Sequence, residues 1–275
     1  MIKDARLQEI CRALSVSRVV TSAELAERCG VSEMTVRRDL ADLEARRLVR
    51  RVRGGAIRID GTDPGYSHRS GEHLSEKQHL GRAAAQLVSD GQTIFLDAGT
   101  TVVEVARALA NRAQNEGIRA RVVTHSIKIG AELAAVPGLA VHQLGGEIDP
   151  ATLSATGPDV TRDLHQMNFD LFFMGVTGVD LTEGLTNSSR VGVEVKRTAC
   201  ARARTVWVVA DGSKWKNVSF YRVADLTAVH GWVTDAVLQP DERRSIMSAG
   251  LQIFQPEPQS RDQHSSNKMR SGADA

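Results

Sequence analysis

Apolar residues recur at helical spacing through the first sixty positions, then as short continuous runs alternating with helical stretches. Leu7, Ile10, Cys11 and Leu14 stand at i, i+3, i+4 and i+7 and predict an amphipathic helix. Thr21 followed three residues on by Glu24 is a capping-box pattern, which starts a second helix near Ser22 and carries it to about Arg28, with Leu25 and Ala26 inward. Gly30, free to take a positive φ, makes the turn in Cys29-Gly30-Val31. Ser32 then caps a third helix whose Val36, Leu40 and Leu43 share one face. A short strand at 48–53, a turn at Gly54-Gly55 and a return strand at 56–59 complete this segment.

Residues 60–71 hold Gly61, Asp63-Pro64-Gly65, Ser67, Ser70 and Gly71, a breaker cluster that reads as a linker. Beyond it, Leu80, Ala83, Ala84, Leu87 and Val88 mark a helix. Apolar strands are predicted at 93–97, 121–124, 139–144, 171–174, 206–210 and 232–234, with helices at 102–110 and 127–135. This alternation argues a parallel sheet covered on both faces. The stretch 255–275 is polar, with prolines and serines, and is expected to be disordered.

Charge sharpens the picture of the first segment. The formal net charge is only +2, but residues 1–58 hold 13 Lys/Arg against 8 Asp/Glu, so the remainder is net negative. The whole excess lies in 37–58, where 8 arginines meet 3 acids. Such a patch is the footprint of phosphate contact. The three cysteines are scattered without a CxxC pair, which speaks against a disulfide framework or a zinc site. There is no HExxH and no His/Cys cluster at ligand spacing, so no metal site or cofactor is expected, although eight histidines invite a metal or redox sensor as a third reading. His68 and His73 fall in or near the linker and are expected to be solvent-exposed. No apolar run reaches membrane-spanning length and no signal peptide is visible, so the expected location is cytoplasmic and no membrane partner is expected.

On a wheel of about 100° per residue, Met34, Arg38, Ala41 and Ala45 of the third helix lie opposite its buried side, with Thr35 and Arg37 on the flanks. Small residues at 41 and 45 permit close approach to a groove wall. Arg38 can reach a guanine edge or a phosphate, and Thr35 and Ser32 a phosphate or a thymine methyl. Arg50, Arg51 and Arg53 are expected on flanking phosphates or in a minor groove. Asp39 and Asp42 are expected to pair with neighbouring arginines.

The stretch TSAELAERCGVSEMTVRRDLADLEARRLVRRVRGGA resembles the winged helix-turn-helix of the DeoR/GlpR family of bacterial transcriptional regulators. That signature couples Val-Ser-x-x-Thr-(Ile/Val)-Arg-Arg-Asp-Leu to a Gly-Gly-Ala wing, matched here by Val31, Ser32, Thr35, Val36, Arg37, Arg38, Asp39, Leu40 and Gly54-Gly55-Ala56. Arg53 departs from it, since the family usually has histidine before the glycine pair. The resemblance implies a winged helix-turn-helix domain at 1–58 (helix-turn-helix about 20–39), a linker at 59–72 and an effector-binding sensor domain at 73–240.

In that second domain, Asp97-Ala98-Gly99-Thr100-Thr101 follows a predicted strand and opens a helix. Gly99 allows a tight turn, and Thr100 and Thr101 offer hydroxyls and N–H groups at the positive end of the helix dipole, the makings of a phosphate cradle. Thr124-His125-Ser126, Leu144-Gly145-Gly146 and Asp211-Gly212-Ser213-Lys214 also end strands and are expected at the same sheet edge. Asp97 and Asp211 suit sugar hydroxyls, Lys214 a phosphate, and Gly145 and Gly146 leave space. FLDAGTT, VVTHS, LGG, MGVTGVD and ADGSKW, with Lys77 near the start of the domain, again resemble the DeoR family. Its sensor is a Rossmann-like α/β domain similar to ribose-5-phosphate isomerase and glucosamine-6-phosphate deaminase. His125 departs from the asparagine usual there, and a larger ring that titrates near neutrality bears on effector identity.

The expected function is therefore a sequence-specific regulator of transcription, a repressor of carbohydrate-utilisation genes. Its partners are a double-stranded DNA operator and a sugar phosphate or related metabolite, and it acts as a homo-oligomer, dimer or tetramer. The alternative is a sugar-phosphate isomerase or deaminase with an added DNA-binding module, which needs a positioned acid and base; Asp97, Glu194, Asp211 and Lys214 are its candidates. No catalytic residue is assigned under the leading reading.

Overall fold

Capping and glycine chemistry shape the N-terminal module. In the computed structural model, which describes residues 2–16, 19–45, 49–58 and 65–256, α1 (Lys3–Val16), β1 (Val19–Thr21), α2 (Ser22–Cys29), α3 (Glu33–Ala45), β2 (Val49–Val52) and β3 (Gly55–Arg58) follow in order. The capping box closes as expected: Glu24 N–H donates to Thr21 Oγ1 at 3.2 Å and Thr21 N–H to Glu24 Oε2 at 2.8 Å. Gly30 ends α2 at φ 64°. Leu7, Ile10, Leu14, Leu25, Val36, Leu40 and Leu43 form one core with Val20, Val49 and Ala56.

Strand β1 was not expected. It pairs antiparallel with β3, giving the order β1-β3-β2. The two glycines of the wing therefore do different work. Gly54 turns the hairpin at φ 87°, whereas a Cβ on Gly55 would stand 2.2 Å from the Val20 carbonyl oxygen of β1. Residues 48 and 59, expected in the two wing strands, lie outside the described residues.

Residues 59–64 of the expected linker also lie outside them, but its second half is helical: α4 (Tyr66–Gly71). Gly65 and Gly71 bracket this helix instead of breaking it. Tyr66 is buried in the core of the second domain, and its N–H donates to the Ala151 carbonyl at 2.7 Å. Tertiary contacts thus override the local breaker signal.

The second domain then runs α5 (Leu74–Ala85), β4 (Thr93–Leu96), α6 (Thr100–Glu116), β5 (Ala120–Thr124), α7 (Ile127–Leu133), β6 (Leu139–Gln143), β7 (Glu147–Asp149), β8 (Ser154–Thr156), α8 (Pro158–His165) and β9 (Phe169–Met174). It continues with β10 (Gly178–Asp180), β11 (Gly184–Asn187), α9 (Arg190–Arg202), β12 (Ala203–Val209), β13 (Tyr221–Ala224), β14 (Gly231–Val233), α10 (Pro240–Ser248) and β15 (Gln252–Phe254). Seven strands form a parallel sheet in the order β15-β14-β12-β9-β4-β5-β6. Alternate residues feed two cores. Phe172 and Met174 of β9 pack with residues of α8, α9 and α10, and Leu171 and Phe173 with residues of α5, α6 and α7. Burial on both faces is why these strands read as continuous apolar runs.

The sheet extends beyond residue 240 through β15, and Gln255 is bonded to the Ala236 carbonyl at 2.8 Å. The rest of the expected tail, 257–275, lies outside the described residues. Two small antiparallel units, the β7–β8 hairpin and the sheet β10-β11-β13, complete the domain. Among the described residues no helix is long and apolar enough to cross a membrane, and no three His, Cys, Asp or Glu side chains gather as a metal site.

Candidate functional site

Helix α3 presents Arg37 and Arg38 on its outer face, while Asp39 and Asp42 turn toward α1. Asp39 is buried and takes a bidentate contact from Arg6 of α1, with Nε at 2.5 Å and the second nitrogen at 3.2 Å. Asp42 pairs with Lys3 at 2.8 Å. Asp39 thus has the arginine partner expected of it, supplied by α1 and not by its own helix, and Asp42 meets a lysine of α1. Arg37 and Arg38 are both exposed, and Arg37 reaches Glu33 of its own helix at 3.4 Å. Met34 is exposed, and the hydroxyls of Ser32 and Thr35 meet at 3.0 Å at the start of the helix. Arg50, Arg51 and Arg53 are exposed along the wing. Glu44 near the end of α3 accepts the Arg51 N–H at 2.8 Å and so fixes the wing against the helix.

The second site lies where the sheet order reverses. β4 and β9 are neighbours whose following chain segments run to opposite sides, and such a switch point opens a crevice at the carboxyl ends of the strands. Gly99, Thr100 and Thr101 at the start of α6 line the cavity there, as do His125 after β5 and Lys214 after β12. The loop after β9, the β7–β8 hairpin (Asp149, Thr152, Ser154) and the start of α9 close it.

Other residues expected at this site sit behind the lining. Asp97 is fully buried and its oxygens are committed: Lys196 Nζ at 2.7 Å, His125 Nε2 at 3.1 Å and the Gly175 N–H at 3.0 Å. It is a post joining the ends of β4 and β9 to α9, rather than a group held out to sugar hydroxyls. Burial pushes its carboxyl upward, but the Lys196 ammonium and the His125 contact outweigh that and hold it below the usual carboxylate range. Thr124 is fully buried, donating to the Leu96 carbonyl at 2.7 Å and accepting the Ser126 N–H at 3.0 Å. Gly145 does not line the cavity. At Gly146 a Cβ would meet the Thr156 carbonyl at 2.6 Å, so this glycine serves the hairpin's close approach. Asp211 is buried, with Oδ1 taken by the N–H and hydroxyl of Ser213. Burial raises its carboxyl, while Lys214 and Lys77 nearby bring it below the ordinary value.

Two lysines of the cavity were not singled out for it by sequence. Lys196 is buried on α9 and bound to Asp97; Lys77 is buried on α5 and donates to the carbonyls of Arg69 and Glu72, each at 2.5 Å. Burial pushes the Lys77 ammonium down to about 8. The signal was present: Lys77 stands in line with Leu80 and Ala84, and Lys196 with Val193 and Ala199, each a lysine on an apolar helical stripe. Lysine is almost never fully buried without a partner, so such a position marks a site. Glu194, a candidate acid for the enzymatic alternative, is exposed on the opposite side of α9.

Comparison with known proteins agrees with this division of the chain. Residues 6–62 match the DeoR-like helix-turn-helix domain and residues 72–236 the DeoR C-terminal sensor domain. The HTH-type transcriptional regulator GlpR of Haloferax volcanii is 32% identical over 92% of this chain and 98% of its own. The HTH-type transcriptional repressor GlcR of Bacillus subtilis is 32% identical over 86% of this chain and 89% of its own. The lactose phosphotransferase system repressor of Streptococcus mutans is 30% identical over 92% of this chain and all of its own. Among solved structures, ribose 5-phosphate isomerase A of Methanocaldococcus jannaschii shares 19% identity at a TM-score of 0.40, covering 52% of this chain and 55% of that one.

Proposed function

The chain belongs to the DeoR family of transcriptional regulators, and from that premise we propose that it represses carbohydrate-utilisation genes and leaves its operator when a phosphorylated sugar or related metabolite occupies the cavity. The observation that carries this reading is one chain joining an exposed basic face on α3 and the wing to a cation-lined crevice at the sheet's switch point. Arg38, with Met34, Thr35 and Arg37 beside it, reads base edges in the major groove; Ser32 at the helix start and Arg50, Arg51 and Arg53 on the wing grip phosphates. Gly99, Thr100, Thr101 and Lys214 hold the effector's anionic group, with His125 shaping the pocket. A homo-oligomer, dimer or tetramer, suits so small a DNA-binding module, because paired half-sites multiply its affinity.

The isomerase alternative is not favoured. Relatives are named as regulators and repressors. Of the four groups it nominates, Glu194 faces solvent and Asp97 is held by Lys196, His125 and Gly175.

The test is a thermal-shift screen of sugar phosphates, followed by binding of the full chain to its own upstream DNA with and without the hit. The expected hit releases the DNA, and Lys214→Ala retains operator binding while losing the response. Release that survives in Lys214→Ala puts the anionic group elsewhere, and turnover of the hit by the pure protein restores the enzymatic reading.

A further inference from the structure

The first described element after β3 is α4, so a change in the sensor domain reaches the winged module along the chain through it. That helix is fastened at both ends to the walls of the cavity. Its first residue, Tyr66, donates its N–H to Ala151 in the β7–β8 hairpin, whose Asp149, Thr152 and Ser154 line the cavity. At its other end, Lys77 donates to the carbonyls of Arg69 and Glu72. An ammonium suits the end of a helix, where carbonyls lack intrahelical partners and carry partial negative charge. Lys77 also lines the cavity, and two carbonyls account for two of its three N–H donors.

Both fastenings lie beside a non-glycine residue in the left-handed region: His73 at φ 49° between α4 and α5, and Leu153 at φ 52° in the hairpin. Such conformations persist only where their surroundings hold them. Two of the three described non-glycine residues with positive φ thus lie next to the points that attach α4. A lysine is also a costly way to cap a short helix, since its charge must leave water. It is explained if the same charge serves something that enters the cavity.

We propose that Lys77 couples the cavity to the DNA-binding module. An anion in the cavity shares the Lys77 ammonium with the Arg69 and Glu72 carbonyls, so occupancy of the cavity and the position of α4 become one equilibrium. This rests on the reading of the cavity as an anion site, and it adds the route by which the anion is felt. A ligand acts along that route only if it binds the two placements of α4 unequally, and the DNA then alters the ligand's affinity by the same factor.

Hydrogen exchange on the full chain tests the fastening without any ligand. In Lys77→Met, amides of residues 69–73 should exchange about tenfold faster or more, while those of β4 and β9 keep their rates, as expected of a local opening. Unchanged exchange at 69–73 overturns the proposal, whatever the cavity binds. Coupling is then read with glucose 6-phosphate and inorganic phosphate as probes. A probe that raises the melting temperature of the wild-type chain should alter exchange over 66–73 and change operator affinity. In Lys77→Met the thermal shift should need a higher probe concentration, and at concentrations that restore it the change in operator affinity should be lost. A response of operator affinity that survives in Lys77→Met also overturns the proposal. Should Lys77→Met fail to fold, Lys77→Gln takes its place. If neither probe shifts the wild-type melting temperature, these outcomes count against the phosphate reading of the cavity, and exchange at 69–73 still decides whether Lys77 holds α4.

Discussion

Asp97 and Lys196 form a buried ion pair, and this makes them decisive at the scale of single residues. Removing one partner of such a pair strands the other charge where it cannot be solvated, a cost of about 3–5 kcal/mol. Lys196→Met is therefore expected to lower stability by about that much, read by urea denaturation. Adding Asp97→Asn should recover most of the loss, because the orphaned charge goes with it. Additive losses in the double variant would show that the pair is not the source. Sequence revealed Asp97 as a strand-end carboxylate, but not what it bonds. Its partners come from β5, β9 and α9, up to 99 positions away in the chain. The same holds for Thr124, whose hydroxyl is spent inside the sheet.

At the scale of elements, close approach between backbones sets the tightest constraints. A Cβ on Gly81 of α5 would stand 2.5 Å from the Glu104 carbonyl carbon of α6. The obstruction is main chain, so the helices must separate, and Gly81→Ala is expected to cost about 1–3 kcal/mol. Gly71→Ala, where a Cβ meets nothing within 4 Å, is the control. Equal melting temperatures for the two variants would refute the packing argument. Elements with several turns or several apolar positions were legible, including α1, α2 with its capping box, α3, α6 and the inner strands of the parallel sheet. The misses have several physical causes. β1, β7, β8 and β10 have three residues each, too few to establish a period of two. β13 joins β11 across more than thirty intervening positions, a pairing that no local pattern encodes. The apolar stripe of α9 is interrupted by Lys196, and α4 sits among residues that locally favour a turn.

At the scale of the whole molecule, the charge is divided as the function requires. Residues 1–58 carry the positive excess and the remainder is net negative, so the long-range field favours DNA at one module only. Arg51→Ala should weaken binding to all DNA alike and reduce the salt slope by about one unit. Arg38→Ala should also erode the preference for operator over random sequence. Salt-dependent anisotropy on both DNAs distinguishes these effects, and an unchanged slope with unchanged preference in both variants would remove this face from the interface.

By itself the sequence determined the two-module plan, the positive face of α3 and the wing, and the strand-end segments around Gly99, Thr100, Thr101, His125 and Lys214. These follow from periodicity, capping and charge, which act between residues close along the chain. Only the tertiary structure decided which of those side chains meet the cavity and which lie beneath it. Asp97 and Asp211 turned inward, while Lys77 and Lys196 entered from the apolar stripes of α5 and α9. The physical reason is that a buried polar group takes whatever partner the folded core brings within reach. That choice depends on the order of strands in the sheet, which no single stretch of this chain contains.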